Sequence, residues 1–226
     1  MAKKGKRYLE SAKLVDPKKK YELKEAIKLL RSFKPAKFPE SVEISMKLGI
    51  DPKQSDQLIR GSVSLPNGIG KSLRVIVFAS GEKAEIAKKA GAEEVGAEEL
   101  VKKVEGGWSD FDVAIATSDM MKLVGKLGRV LGPQGKMPSP KSGTVTDDVE
   151  KAVKEFKAGR IEYRTDAGGN VHTLVGKTSF SDKDLEENIA AFIKQIVNSR
   201  PPTAKGVFVE NISVSTTMSP GVALHV

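Results

Sequence analysis

The sequence predicts an α/β protein of two domains, a discontinuous split α/β domain assembled from both chain ends and a second domain inserted between its halves. Three observations carry this expectation. Alternating, half-exposed strand patterns occur before residue 66 and after residue 159. Between them, runs that are apolar throughout alternate with helical patterns, which is the pattern of a sheet covered by helices on both faces. The style changes at Pro66-Asn67-Gly68-Ile69-Gly70 and again at residues 157–159. The expected boundaries are therefore 1–66 with 159–226 for the outer domain and 67–158 for a three-layer α/β insert. Two crossings between them would let the domains move relative to each other.

Each element has its own reason. Residues 21–33 set Leu23, Ala26, Ile27, Leu29, Leu30 and Phe33 at helical spacing, with Lys24, Lys28 and Arg31 off that stripe. This is an amphipathic helix with a basic outer face, and Pro35 ends it. Over residues 41–50, Val42, Ile44, Met46, Leu48 and Ile50 alternate with Ser41, Glu43, Ser45, Lys47 and Gly49, a strand with one buried and one wet face. Residues 60–65 give a shorter strand. The run LRVIVFA at 73–79 reads as a strand buried on both faces, followed by a helix at 82–89, a short strand at 94–95, a helix at 97–104 and the apolar run FDVAIA at 111–116. Helices are expected over 119–130 and 147–157. Residues 160–165 and 171–175 are expected to pair around the turn residues Asp166-Ala167-Gly168-Gly169-Asn170. Ser181 begins a long helix stopped by Pro201-Pro202, and 207–217 alternates less cleanly as a last strand.

Composition narrows the function classes. The 226 residues contain no cysteine, which excludes disulfides, thiolate nucleophiles and cysteine-ligated zinc. His172 and His225 are the only histidines, too few for a histidine-based metal site or triad. The net charge of +9 lies wholly in residues 1–37, which hold 13 Lys and Arg against 4 Asp and Glu, opening with Lys3, Lys4 and Lys6. This reads either as a polyanion contact or as a solubilising tail. An aromatic content of 5% argues against a broad base-stacking surface. No apolar run approaches the roughly 18 residues of a membrane span, and the basic N-terminus has no apolar stretch, so a cytoplasmic location without membrane contact is expected.

Several motifs fail on their spacing. Gly70-Lys71-Ser72 and Gly176-Lys177-Thr178 end like a phosphate loop, but the glycine needed five residues earlier is Leu65 in one and Val171 in the other. Gly135-Lys136 runs into Met137, and Gly68-x-Gly70 lacks a third glycine because position 73 is leucine. The pair Asp147-Asp148 falls at a helix start, where the helix dipole favours negative charge. Two stretches remain. LGRVLGPQGKMPSPKSGTV (127–145) has no acid and is rich in Gly and Pro, which fits a long surface loop or a specified backbone. Residues 215–222, STTMSPGV, join hydroxyls, a methionine and a turn, able either to close a strand end or to meet ribose and base.

The stretch LGRVLGPQGKMPSPKSGTV resembles the signature of the family of ribosomal protein one of the large subunit, the protein of the mobile stalk. GIDPKQSDQLIRGSVSLPNGIGK (49–71), VGKTSF (175–180) and TTMSP (216–220) are similar to other blocks of that family, in the same order. The resemblance implies an inserted Rossmann-like domain and an RNA site on the domain made from both termini. Carried over by position, Lys37, Phe38, Glu43, His172, Gly176, Lys177, Ser179, Thr217 and Met218 fall on that site. Ser219 stands where the family has glycine, and Gln134, Lys136 and Ser139 replace Arg, Leu and Asn. The resemblance further implies a non-enzymatic part of the large ribosomal subunit, with no cofactor and no metal. Its partners would be large-subunit ribosomal RNA, exit-site transfer RNA and, as a translational repressor, the messenger RNA of its own operon. The competing classes are a nucleotide-dependent enzyme and a stand-alone messenger-RNA regulator.

Overall fold

Residues 4–225 are described in the computed structural model, so that Lys3 lies outside the described residues. In chain order the elements are α1 (Lys6–Ala12), α2 (Leu23–Ser32), β1 (Ser41–Leu48), β2 (Arg60–Ser64), β3 (Val75–Phe78), α3 (Glu82–Lys89), β4 (Glu94–Gly96), α4 (Glu98–Glu105), β5 (Val113–Ala116), α5 (Met121–Val124), α6 (Gly128–Leu131), α7 (Val149–Ala158), β6 (Arg160–Arg164), β7 (Asn170–Lys177), α8 (Asp182–Asn198), β8 (Val209–Thr216) and β9 (Val222–Leu224). They form a mixed α/β protein of two units, Met1–Gly70 with Ile161–Val226 and Lys71–Arg160.

In the first unit a four-stranded sheet has the order β7-β1-β8-β9. β1 pairs antiparallel with β7 on one edge and with β8 on the other. Its alternation is the one read from the sequence: Val42, Ile44, Met46 and Leu48 are buried, and Glu43 is exposed. α2 and α8 lie against this unit's sheet and against each other, burying Ala26, Ile27 and Leu30 from one helix and Leu185, Ile189, Phe192 and Ile196 from the other. α8 starts at a capping box in which the Ser181 hydroxyl accepts from the Asp184 amide at 3.2 Å and the Asp184 carboxylate accepts from the Ser181 amide at 3.1 Å.

The hairpin expected between 160–165 and 171–175 does not form. Around the Asp166–Asn170 turn only the bridge Thr165–Val171 connects the two runs. β7 pairs with β1 and β6 pairs with β2 instead. β1 is buried on one face, so both its edges need backbone partners, and β7 supplies one of them. α1 and β9 were not anticipated; seven and three residues respectively are too short to show a period.

The second unit is a parallel sheet of order β4-β3-β5. Alternate residues of β3 enter opposite layers. Val75 and Val77 meet Ala87 of α3 and Ala152, Val153 and Phe156 of α7. Ile76 and Phe78 meet Leu100, Val101 and Val104 of α4 together with Val124, Leu127 and Leu131. The helix expected over 119–130 is broken into α5, α6 and two 3₁₀ turns, Ser118–Met120 and Gly125–Leu127. Gly125 and Gly128 interrupt a helical pattern at the positions of poorest helix propensity.

Asn188 shows how closely the Pro66–Gly70 segment is held to the first unit. It is fully buried on α8. Its Oδ1 accepts from the Asn67 amide at 3.1 Å, and its Nδ2 donates to the carbonyls of Gly68 at 2.9 Å and Val175 at 2.8 Å. Asn188→Leu keeps the volume and leaves those three backbone groups without a partner. At about 1–3 kcal/mol for each buried unpaired group, chemical denaturation is expected to show a loss of several kcal/mol. A loss below about 1 kcal/mol would mean that water replaces the amide.

Candidate nucleic-acid interface

The wet face of β1 carries Ser41, Glu43, Ser45 and Lys47. The strand register sets Lys177, Leu174, His172 and Asn170 of β7 beside them, and Ser215, Ser213 and Asn211 of β8 beside the last three. Directly opposed residues point to the same side, so Glu43, His172 and Lys177 share this face. They do not form one cluster. His172 lies opposite Ser45, four residues beyond Ser41, about 13 Å along the strand at ~3.3 Å per residue. The sequence offered His172 no partner. In the fold its Nδ1 meets the Ser45 hydroxyl at 2.9 Å and its Nε2 lies 3.6 Å from Asp166.

Asp166 organises the turn that His172 leaves. Its carboxylate accepts from the Asn170 amide at 2.7 Å and the Gly168 amide at 2.8 Å. The backbone bond from Asn170, then the Asn170 side chain, then the Gly168 amide and the nearby histidine, hold its pKa at about 2 against a smaller opposing effect of burial.

At the other end of the strand the polar face meets a knot around Glu40, a residue 6% exposed just before β1. One carboxylate oxygen accepts from the Ala36 amide at 2.9 Å. The other accepts from the Thr216 hydroxyl at 2.6 Å and the Met218 amide at 3.1 Å. Arg7 stands 3.9 Å away. The Glu40 carbonyl accepts from the Thr178 amide at 2.9 Å. Burial pushes the Glu40 carboxyl up, but the bonds from Thr216, Met218 and Ala36 and the Arg7 charge outweigh it and leave the pKa below the ordinary glutamate value.

This knot sets the remaining candidates. Phe38 is held between Ala36 and Glu40 with half its surface exposed (50%), and Met218 is equally open at 51%. Lys37 is exposed beside Phe38. Thr217 is exposed, but its hydroxyl is engaged, accepting from the Ser41 amide at 3.0 Å while its own amide donates to the Ser41 carbonyl at 3.1 Å. Ser219, in the family's glycine position, turns its hydroxyl inward, accepting from the Thr216 amide at 2.9 Å and donating to the Pro220 carbonyl at 3.0 Å. No described non-glycine residue has a positive φ, so the serine fits this turn without backbone strain. Ser179 is exposed in the turn after β7. Gly176 is buried, and a Cβ there would come within 2.9 Å of Leu185 and 3.1 Å of Phe180. It clears space for α8 and presents nothing outward.

Sequence reasoning missed Glu40 and Arg7. A lone glutamate after Pro39 gives no sign that it will be buried, because its partners Thr216 and Met218 are supplied from far along the chain. Arg31 is a third such residue. From α2 it reaches the Asp182 carboxylate, the Phe180 carbonyl and, at 3.2 Å, the Thr178 carbonyl.

The second unit offers no comparable site. Asp147 pairs with Lys83 at 2.7 Å, which holds its carboxyl below the usual range, and Asp148 caps α7 by accepting from the Lys151 amide at 3.2 Å. No group of acidic or histidine side chains suited to a metal ion exists among the described residues. No helix among them is long and apolar enough to cross a membrane.

Residues 30–220 match the ribosomal protein L1p/L10e family. The chain belongs to that family. It is also 54% identical, over 224 residues, to the large ribosomal subunit protein uL1 of Kosmotoga olearia, an alignment covering 99% of this chain and 97% of that protein. The match includes both the Phe38 loop and the Thr217-Met218 turn, the two segments that Glu40 joins.

The lowered Glu40 pKa makes the knot acid-sensitive. A carboxyl whose folded value lies below its unfolded value contributes stability above the unfolded value, about 4.3 for glutamate, and loses it as pH falls through the folded value. Glu40→Gln is expected to lower stability by about 1–3 kcal/mol at neutral pH. The difference from the unmodified chain should shrink toward zero as denaturation curves are taken below pH ~4. A constant difference at all pH values would assign the loss to packing alone.

Proposed function

We propose that the chain is a structural, non-enzymatic constituent of the large ribosomal subunit and that it binds large-subunit ribosomal RNA through its first unit. The observation that carries this reading is the Glu40 knot, which fixes two half-exposed apolar side chains, Phe38 and Met218, at the end of a polar sheet face. Exposed apolar groups held rigidly beside lysines suit a folded RNA, which offers sugar and base surface between phosphates. Lys37 and Lys177 supply phosphate contact, Ser179 and Glu43 hydrogen bonds to ribose and base. Thr217 and Gly176 serve the same surface from within, one by pinning β1, the other by making room for α8. His172, farther along the face, extends it.

The finer reading follows the family resemblance and the name of the Kosmotoga relative. The bound protein and RNA form the mobile stalk and assist release of exit-site transfer RNA. The same surface binds the operon's messenger RNA when ribosomal RNA is scarce, a feedback set by mass action. The two units act as domains linked by crossings at 66–70 and 157–160.

Sedimentation with the large subunit, followed by footprinting on total ribosomal RNA, tests the reading. Phe38→Ala and Met218→Ala are each expected to weaken specific binding about tenfold, the equivalent of roughly 1.4 kcal/mol, with an unchanged salt slope. Lys37→Ala and Lys177→Ala should each flatten the dependence of log K on log salt by about 0.7–0.9. Binding that is indifferent to all four substitutions would place the RNA elsewhere. Thr217→Val should reduce the melting temperature as well as affinity, because its hydroxyl holds the Ser41 amide.

A further inference from the structure

Phe38 and Met218 line a partly open cavity of about 340 Å³ in the first unit. Its walls are apolar, formed in part by Ile27, Leu30, Val42 and Leu185, all buried. Its polar lining combines the side chains of Arg31 and Lys34 with hydroxyl and carboxylate oxygens. The Thr216 and Thr178 hydroxyls lie on it with their protons already given to Glu40, at 2.6 and 3.2 Å, so what they offer is lone pairs. The Glu40 carboxylate accepts three hydrogen bonds of the roughly four it can take. Ser11 of α1, only 4% exposed, lines the same cavity.

An occupant that is apolar across its faces and carries both N–H donors, for the Thr216, Thr178 and Glu40 oxygens, and acceptors, for Lys34, at its edge fits this lining. It must also arrive attached to negative charge, since residues 1–37, which supply much of the wall, hold 13 Lys and Arg against 4 Asp and Glu. The size lies near the lower bound of ligand cavities, about 300–1,000 Å³, enough for one ring system. We infer that the cavity receives a single unstacked nucleobase bearing an exocyclic amino group, extruded from the RNA that the first unit binds. This rests on the RNA-binding reading above and goes beyond it by assigning a base-specific subsite. It also accounts for specificity in a chain with too few aromatics for a stacking platform, since one enclosed base read at its edge can replace several stacked ones.

The test uses ribosomal RNA fragments carrying 2-aminopurine at single unpaired purines, or pyrrolocytosine at single unpaired cytosines, within the footprint. With the unmodified protein, one position is expected to brighten several-fold on binding as that base leaves its stack. Ser11→Leu fills the cavity from α1 without altering charge. It is expected to lower affinity about tenfold and abolish the brightening, with the melting temperature unchanged or raised and the salt slope unchanged. Absence of any brightened position with the unmodified protein overturns the subsite and needs no variant to fold. Full affinity in a folded Ser11→Leu protein overturns it equally. In either case RNA binding itself would stand, whereas failure of the unmodified protein to bind ribosomal RNA would overturn the underlying function.

Discussion

The first unit depends on one buried carboxylate. A charge removed from water must be compensated by hydrogen bonds or by an opposite charge, or it shifts its pKa and neutralises. Of the three hydrogen bonds that compensate the Glu40 carboxylate, two come from a segment 176 and more residues away in the chain. The same residue's backbone carbonyl takes the Thr178 amide. A domain made from two ends of a chain has no short loops to hold its halves in register, and closing such a separation costs entropy that only specific contacts repay. The Glu40 bonds and the pairing of β1 with β7 and β8 are those contacts. They set the Phe38 loop, the start of β1 and the Thr217-Met218 turn relative to each other.

What was legible in the sequence follows from which interactions are local. β1 was readable because its two-residue period is a direct image of one buried face, and β3 because burial on both faces leaves an unbroken apolar run. The helix starts at Ser181 and at Asp147-Asp148 were readable because their signals are local, and the caps found there join donor and acceptor three residues apart. The partners of β6 and β7 were not, since alternation reports which face is buried and says nothing about which strand lies alongside. Nor was the break in the 119–130 helix, where a helical pattern suggested continuity and Gly125 and Gly128 interrupt it.

The candidate site divides along the same line. Met218 drew notice in a turn of hydroxyls that follows a strand, whereas Phe38 was reached only through the family resemblance, because nothing in its local sequence marks it as exposed. Thr217 looked like a free hydroxyl because nothing in the sequence shows that the Ser41 amide will claim it. The glycine-rich signature in the second unit misleads in the opposite direction. Much of what seemed surplus to folding is internal structure. Leu127 and Leu131 are buried in the core. Lys136 donates to the Ser109 carbonyl at 2.9 Å and covers the Phe111 ring. The Thr144 hydroxyl accepts from the Ser139 amide at 2.8 Å and lies 3.1 Å from the buried Ser142 hydroxyl. A segment without acids or a clear period can still be fully specified when its polar groups satisfy one another.

Under the proposed RNA-binding function, these two kinds of residue imply a division of labour in recognition. The basic excess of residues 1–37 acts through counterion release, which attracts any polyanion and falls with salt. It cannot by itself distinguish one RNA from another. Discrimination requires groups that are costly to leave unmatched, and those are worth most where they cannot move away from a wrong ligand. Glu40 provides that rigidity. It holds an apolar pair at the surface and acceptor groups beneath it, with its own charge already compensated. An RNA that lacks the complementary shape would leave the lysine contacts possible and the apolar and acceptor groups unsatisfied. On the proposed function, affinity comes largely from the basic residues near the chain's start and specificity from a surface that a buried anion holds in place.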